Sequence, residues 1–256
     1  MKKVLLTIAY DGKGFKGWQR QPGSRTVQGT LEEALSKFTG TEIKLEGCSR
    51  TDAGVHAYGQ TATFEADFKI PLKNLVTSVN YYLAGGKNSL NPVADLRIIK
   101  AKMVNKEFHA RHDAKGKTYR YVINNAKKID IFRKDYAFQV TIPLDINRMR
   151  EGAKYIIGTH DFKCFESAGS NPRETTVRTV YNLEINRGSG CDVIIEITGD
   201  GFLYNMVRII SGTLINVGLG KMKPQEIEKI ILSKDRANAG FTAPASGLYL
   251  KKVIYK

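Results

Sequence analysis

Val4, Leu6, Ile8 and Tyr10 alternate with Leu5, Thr7 and Ala9 ahead of an Asp11-Gly12 turn, which predicts a β-strand with both faces largely apolar. Such a strand belongs in the middle of a sheet. After a glycine-rich loop, Val27, Leu31, Ala34, Leu35 and Phe38 recur at helical spacing and stop at Gly40, a residue suited to a helix C-cap. Ala62, Phe64, Ala66 and Phe68 alternate with Thr61, Thr63, Glu65 and Asp67 and predict a second strand. Leu72, Leu75, Val76, Val79 and Leu83 mark a second helix behind Pro71, and Leu96 to Val104 closes this half as a further strand.

From Lys117 the plan repeats although the residues do not. A strand at Lys117 to Ile123 leads to a helix around Ile146 to Ile157, then strands Val180 to Arg187 and Asp192 to Gly199 joined across Gly188-Ser189-Gly190. A helix from about Tyr204 to Val217, a short helix after Pro224 and a last strand at Leu248 to Tyr255 complete the chain. Interleaved in this way, the elements predict an α+β fold, with helices on one face of a mainly antiparallel sheet, built as two related α+β halves. The expected domains are residues 1–105, carrying a loop around Asp52, and residues 106–256, carrying Tyr119 and Arg208. No Pro- or Ser-rich linker marks the boundary.

Composition narrows the class. The chain has 256 residues, of which 42% are hydrophobic and 25% charged, a globular mixture that excludes a disordered or fibrous protein. Lys plus Arg number 40 against 25 Asp plus Glu, leaving a formal charge of +15 that points to a polyanionic partner. The longest nearly uncharged stretch, Gly201 to Gly220, is broken by Asn205, Arg208, Ser211, Thr213 and Asn216, so no lipid-spanning segment is expected. Met1-Lys2-Lys3 and the apolar run after it run into Asp11-Gly12 without a small-residue cleavage site, and read as a first strand rather than a signal peptide. Cys48, Cys164 and Cys191 are odd in number and widely spaced, which disfavours disulfides and zinc and fits a reducing cytoplasm.

The richest chemical cluster is Gly47-Cys48-Ser49-Arg50-Thr51-Asp52-Ala53-Gly54-Val55-His56, which places a cation, a carboxylate and an imidazole within seven residues between two strands. Ordinary turn chemistry is the alternative reading of Asp-x-Gly, with Arg50 pairing a surface acid. Arg208 is the only charged residue from Gly201 to Gly220 and lies on an apolar helix, so it is expected to be partly buried and to need a carboxylate or anion. Asp52 is one candidate partner; Asp161 and Asp200 are others. Paired with Asp52, the guanidinium would hold that carboxylate ionised, able to act as nucleophile or base.

Arg111 to Tyr121 interleaves cations with aromatics, and strand alternation puts Tyr119 and Tyr121 on one face. Rings of this kind stack on bases while Lys and Arg meet phosphates, although one tyrosine can equally be core. Lys13, Lys16, Trp18, Gln19 and Arg20 carry the same double reading, and the glycines among them do not have P-loop spacing. His109-x-x-His112 lacks a third ligand, so no metal site is expected.

Ser49-Arg50-Thr51-Asp52-Ala53-Gly54-Val55-His56-Ala57 resembles the signature loop of the tRNA pseudouridine synthase A family, and the resemblance runs over nearly the whole chain. It extends through Tyr10-Asp11-Gly12, Gly17-Trp18-Gln19-Arg20-Gln21, Phe108-His109-Ala110-Arg111, Lys117-Thr118-Tyr119-Arg120-Tyr121, Gly158-Thr159-His160-Asp161-Phe162 and Gly201-Phe202-Leu203-Tyr204-Asn205-Met206-Val207-Arg208. Ser49, where the family usually has glycine, and an extra loop at Ala84 to Pro92 are departures.

The resemblance implies a cofactor-free homodimer that isomerises uridine to pseudouridine at positions 38, 39 and 40 of the tRNA anticodon stem-loop. It implies halves that share one sheet, with the active-site cleft between them. Asp52 is then the essential carboxylate and Arg208 its ionic partner, with Tyr119 stacked on the target uracil as a base candidate. Arg50 would hold the flipped nucleotide, Lys117, Arg111 and Arg20 would contribute to substrate binding, and Leu248 would pack the pocket.

Two rival classes are weaker. A noncatalytic RNA-binding module of the RRM type would carry Gly-Phe/Tyr-Gly/Ala-Phe, which Lys117 to Ile123 lacks. An RNA glycosidase or nuclease would want two spaced acids or a metal-binding carboxylate cluster, and neither is evident.

Overall fold

A computed structural model describes residues 1–86, 94–169 and 174–255 of the chain. The extra loop expected at Ala84 to Pro92 lies largely outside the described residues. The structure divides into two compact units, residues 1–115 with 250–256, and residues 116–249. The division falls ten residues beyond the boundary expected at 105, because Asn105 to Lys115 is bound into the first unit's core: Ala110 is fully buried and its carbonyl accepts the Tyr255 hydroxyl at 2.8 Å.

In the first unit β1 (Lys2–Tyr10) lies between β3 (His56–Ala66) and β4 (Leu96–Val104), antiparallel to both. Pairing along both edges makes β1 an interior strand, the position its apolar sequence predicts, and its residues from Lys3 onward are buried or half-buried. A two-residue strand, β2 (Glu46–Gly47), and the end of β10 (Leu248–Ile254) also pair with β3. Two helices complete the unit. In α1 (Val27–Thr39) the Thr26 hydroxyl accepts the Gly29 N–H at the start, and Gly40 at φ +73° ends the helix. That left-handed conformation costs glycine nothing. α2 (Leu72–Leu83) follows Pro71, buries Leu75 and Val79, and packs on α1 and β4.

The second unit carries β5 (Gly116–Asn124), β9 (Asp192–Gly199), β8 (Val177–Arg187) and β7 (Gly158–Asp161) in that spatial order, all antiparallel, with β6 (Phe138–Gln139) parallel to β5. Helix α3 (Ile146–Lys154) starts at Asp145, whose side chain accepts the Arg148 N–H at 3.1 Å. It ends three residues short of the expected Ile157, where N–H groups of Tyr155 and Ile156 turn back to carbonyls three residues earlier. α4 (Met206–Gly218) is buried almost throughout and packs on α3 and β5, and α5 (Glu226–Ser233) packs on β7. Both units are therefore α+β with mainly antiparallel pairing. Among the described residues no helix is long and apolar enough to cross a membrane. Cys48 and Cys164 are buried and Cys191 is exposed, and none of the three is in a disulfide.

Candidate active site

The loop from Cys48 to Val55 leaves the short β2 and enters β3, and side-chain and backbone hydrogen bonds hold it at several points. Gln60 is fully buried, donates to the Ser49 carbonyl at 2.7 Å, and accepts the N–H groups of Ser49 at 3.3 Å and Thr61 at 3.0 Å. The Tyr10 hydroxyl bonds the Thr51 hydroxyl at 2.7 Å, and the Trp18 backbone N–H donates to the Thr51 carbonyl at 3.0 Å. The Val55 N–H closes the turn on the Asp52 carbonyl at 3.2 Å. Gly17 is required where it stands, because its φ is +91° and a Cβ there would lie 2.8 Å from the Thr51 carbonyl oxygen.

His56 locks the far end of the loop. Its ring is buried, and Nδ1 lies 3.0 Å from the Gly12 N–H and 3.1 Å from Asp11 Oδ1. The backbone N–H can only donate, so we take Nδ1 as its acceptor and place the ring proton on Nε2; in that tautomer the Asp11 contact is not an ion pair. On this frame Asp52 is half-buried and Arg50 exposed.

The remaining first-unit candidates have structural partners. Trp18 is 1% exposed, so of its two readings the core one holds: its ring fills the space in front of Gly47. Arg20 caps the buried carboxylate of Glu32 at 2.9 Å, which also accepts from Gln28 and the Leu45 N–H. Arg111 is exposed, and its N–H donates to His109 Nδ1 at 3.1 Å. The His109 and His112 rings lie 4.1 Å apart, but no group of three or more metal-ligating side chains occurs among the described residues.

In the second unit, β5 carries Lys117 and Tyr119 half-buried and Tyr121 fully buried. Tyr121 is core, as one of the two tyrosines was free to be, and donates to the Pro244 carbonyl at 2.8 Å. Burial pushes its hydroxyl above the ordinary tyrosine range, against the opposing pull of the Arg208 charge. Tyr119 meets Phe202 edge to face, with ring centroids 5.3 Å apart at 88°, a favourable aromatic geometry that fixes the ring plane. Leu248 is buried at the start of β10.

Arg208 is half-buried on the first turn of α4, as its apolar surroundings predicted. Nε donates to the Ala243 carbonyl at 2.7 Å and Nη1 to Asn205 Oδ1 at 2.8 Å. Of the other acids considered for it, Asp161 is ion-paired with Lys234 at 2.9 Å and Asp200 accepts the Thr179 N–H at 3.0 Å. Hydrogen bonding by Thr176, with help from Lys234, holds the Asp161 carboxyl below the usual carboxylate range despite partial burial.

Sequence reasoning missed Gln60 and Asn205. Gln60 sits inside an alternating strand where only its burial reveals its task. Asn205 was absorbed into the helix, although asparagine ahead of a helical run is a signal for a cap or a left-handed residue.

The first unit offers a half-buried carboxylate on a loop held at several points, and the second offers, separately, an oriented tyrosine and a guanidinium held by two hydrogen bonds. A family model described as tRNA pseudouridine synthase matches residues 6–95 and 153–256. The tRNA pseudouridine synthase A of Thermoanaerobacter sp. (strain X514) is 46% identical over 255 residues, covering 100% of both chains. Those of Caldicellulosiruptor bescii and Ruminiclostridium cellulolyticum are 46% and 44% identical with the same coverage. With the family model and full-length relatives in agreement, the chain belongs to the tRNA pseudouridine synthase A family and is an isomerase acting on tRNA uridine.

Proposed function

We propose that this isomerase converts uridine to pseudouridine at positions 38, 39 and 40 of the tRNA anticodon stem-loop, in the cytoplasm, as a homodimer and without a cofactor. The observation that carries the reading is the Asp52 loop itself, a half-buried carboxylate on a backbone tied down by Gln60, Tyr10, Trp18 and Val55. A turn with no task beyond connection would not need that many buried anchors.

The chemistry balances internally. The glycosidic N1–C1′ bond breaks, the uracil turns in its pocket, C5 bonds to C1′, C5 gives up its proton and N1 gains one. Asp52, with Arg208 as its ionic partner, either attacks the nucleoside or takes a sugar proton. The cation keeps the carboxylate charged in a poorly hydrated setting, where its reactivity rises. Tyr119 stacks on the uracil and stands near the C5 proton, and its edge contact with Phe202 holds the ring for both tasks. Arg50 holds the extruded nucleotide, Leu248 packs the pocket, and Lys117, Arg111 and Arg20 meet the surrounding RNA.

Extruding a base from a stem costs a few kcal/mol. Phosphate contacts spread over a +15 surface supply the binding that offsets this cost. The test is to incubate the protein with unmodified tRNA transcript and map pseudouridine by carbodiimide-dependent primer-extension stops. Stops confined to the anticodon arm support the proposal; an unchanged uridine map refutes it.

A further inference from the structure

Asn205 is the residue before α4, where an asparagine ordinarily takes an extended backbone and caps the helix with its side chain. Here it does neither. Its backbone is left-handed at φ 60°, one of two non-glycine residues with positive φ among those described, and its side chain makes no cap bond. The amide faces sideways instead: Nδ2 donates to Ser167 Oγ at 3.0 Å and Oδ1 accepts from Arg208 Nη1 at 2.8 Å. Only one orientation of the amide satisfies both neighbours well, because a guanidinium cannot accept a hydrogen bond. The arginine, which can only donate, therefore sets which end of Asn205 meets it, and the Ser167 hydroxyl anchors the other end by accepting from Nδ2.

We infer that Asn205 is a positioning residue for the reaction, fixing the guanidinium plane of Arg208 through Oδ1, with Ser167 as its anchor. This rests on the proposed pairing of Arg208 with the reacting carboxylate. Nε on the Ala243 carbonyl and Nη1 on Oδ1 are two restraints on one planar group, and two restraints fix its rotation where one would leave it free to swing. The partner is neutral, so it orients the cation without competing for its charge. The Tyr121 hydroxyl, raised above its ordinary range and therefore neutral, lies within the arginine's field and leaves that charge intact as well.

Three substitutions separate this role from a backbone one. Asn205→Gly keeps the left-handed conformation and deletes Oδ1, and should lower kcat about tenfold with KM for tRNA changed less than about twofold. Asn205→Ala should lose kcat equally and also melt below the glycine variant, because alanine resists positive φ. Asn205→Asp keeps an acceptor in place but adds a carboxylate that competes for Arg208, so the acid limb of the kcat/KM profile should move up by about one pH unit.

Wild-type kcat in Asn205→Gly, with loss confined to Asn205→Ala, would reduce the residue to a backbone role and overturn the inference. An unmoved acid limb in a folded Asn205→Asp would do the same. The wild-type control makes the two levels distinguishable: no pseudouridine from the parent protein sinks the underlying reading, whereas an active parent with an indifferent glycine variant sinks only the role of Asn205.

Discussion

Replacing Gln60 by leucine tests the frame of the candidate loop. Leucine fills the site with a side chain of comparable size that branches one atom nearer the backbone, so repacking adds a part of the cost and the larger part is polar. Gln60 is fully buried, and so nearly is Ser49; the substitution strands the Ser49 carbonyl, bonded at 2.7 Å, and weakens the support of the Ser49 and Thr61 N–H groups at 3.3 and 3.0 Å. A buried unsatisfied group costs about 1–3 kcal/mol. One strong bond and two weaker or shared ones then add to about 3–5 kcal/mol. With a urea m-value of about 2–3 kcal/mol/M, the midpoint should fall by about 1–2.5 M. Turnover should fall as well, because Arg50 and Asp52 ride on this backbone.

Gln60→Glu refines the test. It sets a second acceptor against the Ser49 carbonyl unless it is protonated, so its folded-state pKa rises. The variant is then least stable above that raised value and recovers as pH falls toward the unfolded glutamate value of about 4.3. A Gln60→Leu protein with its midpoint within about 0.3 M of wild type and unchanged turnover would refute the reasoning.

Gly17→Ala places a methyl 2.8 Å from the Thr51 carbonyl at φ +91°, so a stability loss of about 2–4 kcal/mol and reduced kcat are expected from denaturation curves and turnover assays. Asp161→Asn removes a carboxylate whose pKa is depressed in the folded state; that contribution is present above the unfolded value and lost as pH falls through the folded one. Wild type should therefore exceed the variant at pH 7, with the gap closing below about pH 4 in melting experiments. Tyr119→Phe keeps the ring and its contact with Phe202 but removes the hydroxyl, so tRNA affinity should survive while turnover drops. Equal loss of both would point to a purely structural tyrosine.

Regular elements were legible where one physical signal dominated. The stripe Val27, Leu31, Ala34 and Leu35 is fully buried in α1, and Gly40 ends that helix as read. The apolar run from Val4 to Tyr10 marked β1 as an interior strand, and it is paired along both edges. The short strands β2, β6 and β7 left no readable period, since two to four residues cannot show one. β3 starts at His56, earlier than its alternation indicates, because the imidazole is buried by a hydrogen bond rather than by apolarity. The boundary near residue 105 was missed for a related reason: Ala110 and Tyr255 hold Asn105 to Lys115 in the first unit through contacts 145 residues apart in sequence.

The candidate site divides the same way. Asp52, Arg50, Tyr119 and Arg208 could be chosen because residue types that carry chemistry stood in conspicuous company. Gln60, Asn205 and Ser167 act by holding something else, and a holding residue has no signature until the fold shows what it holds. Trp18 illustrates the converse, since an aromatic among cations looked suited to a nucleobase and proved to be core.

The central claim is that one carboxylate performs the isomerisation. Single-turnover conversion of an anticodon-arm uridine by Asp52→Ala, with circular dichroism and tRNA affinity matched to wild type, tests it most directly. The account predicts tight binding with no pseudouridine formed; conversion at the wild-type rate would contradict it.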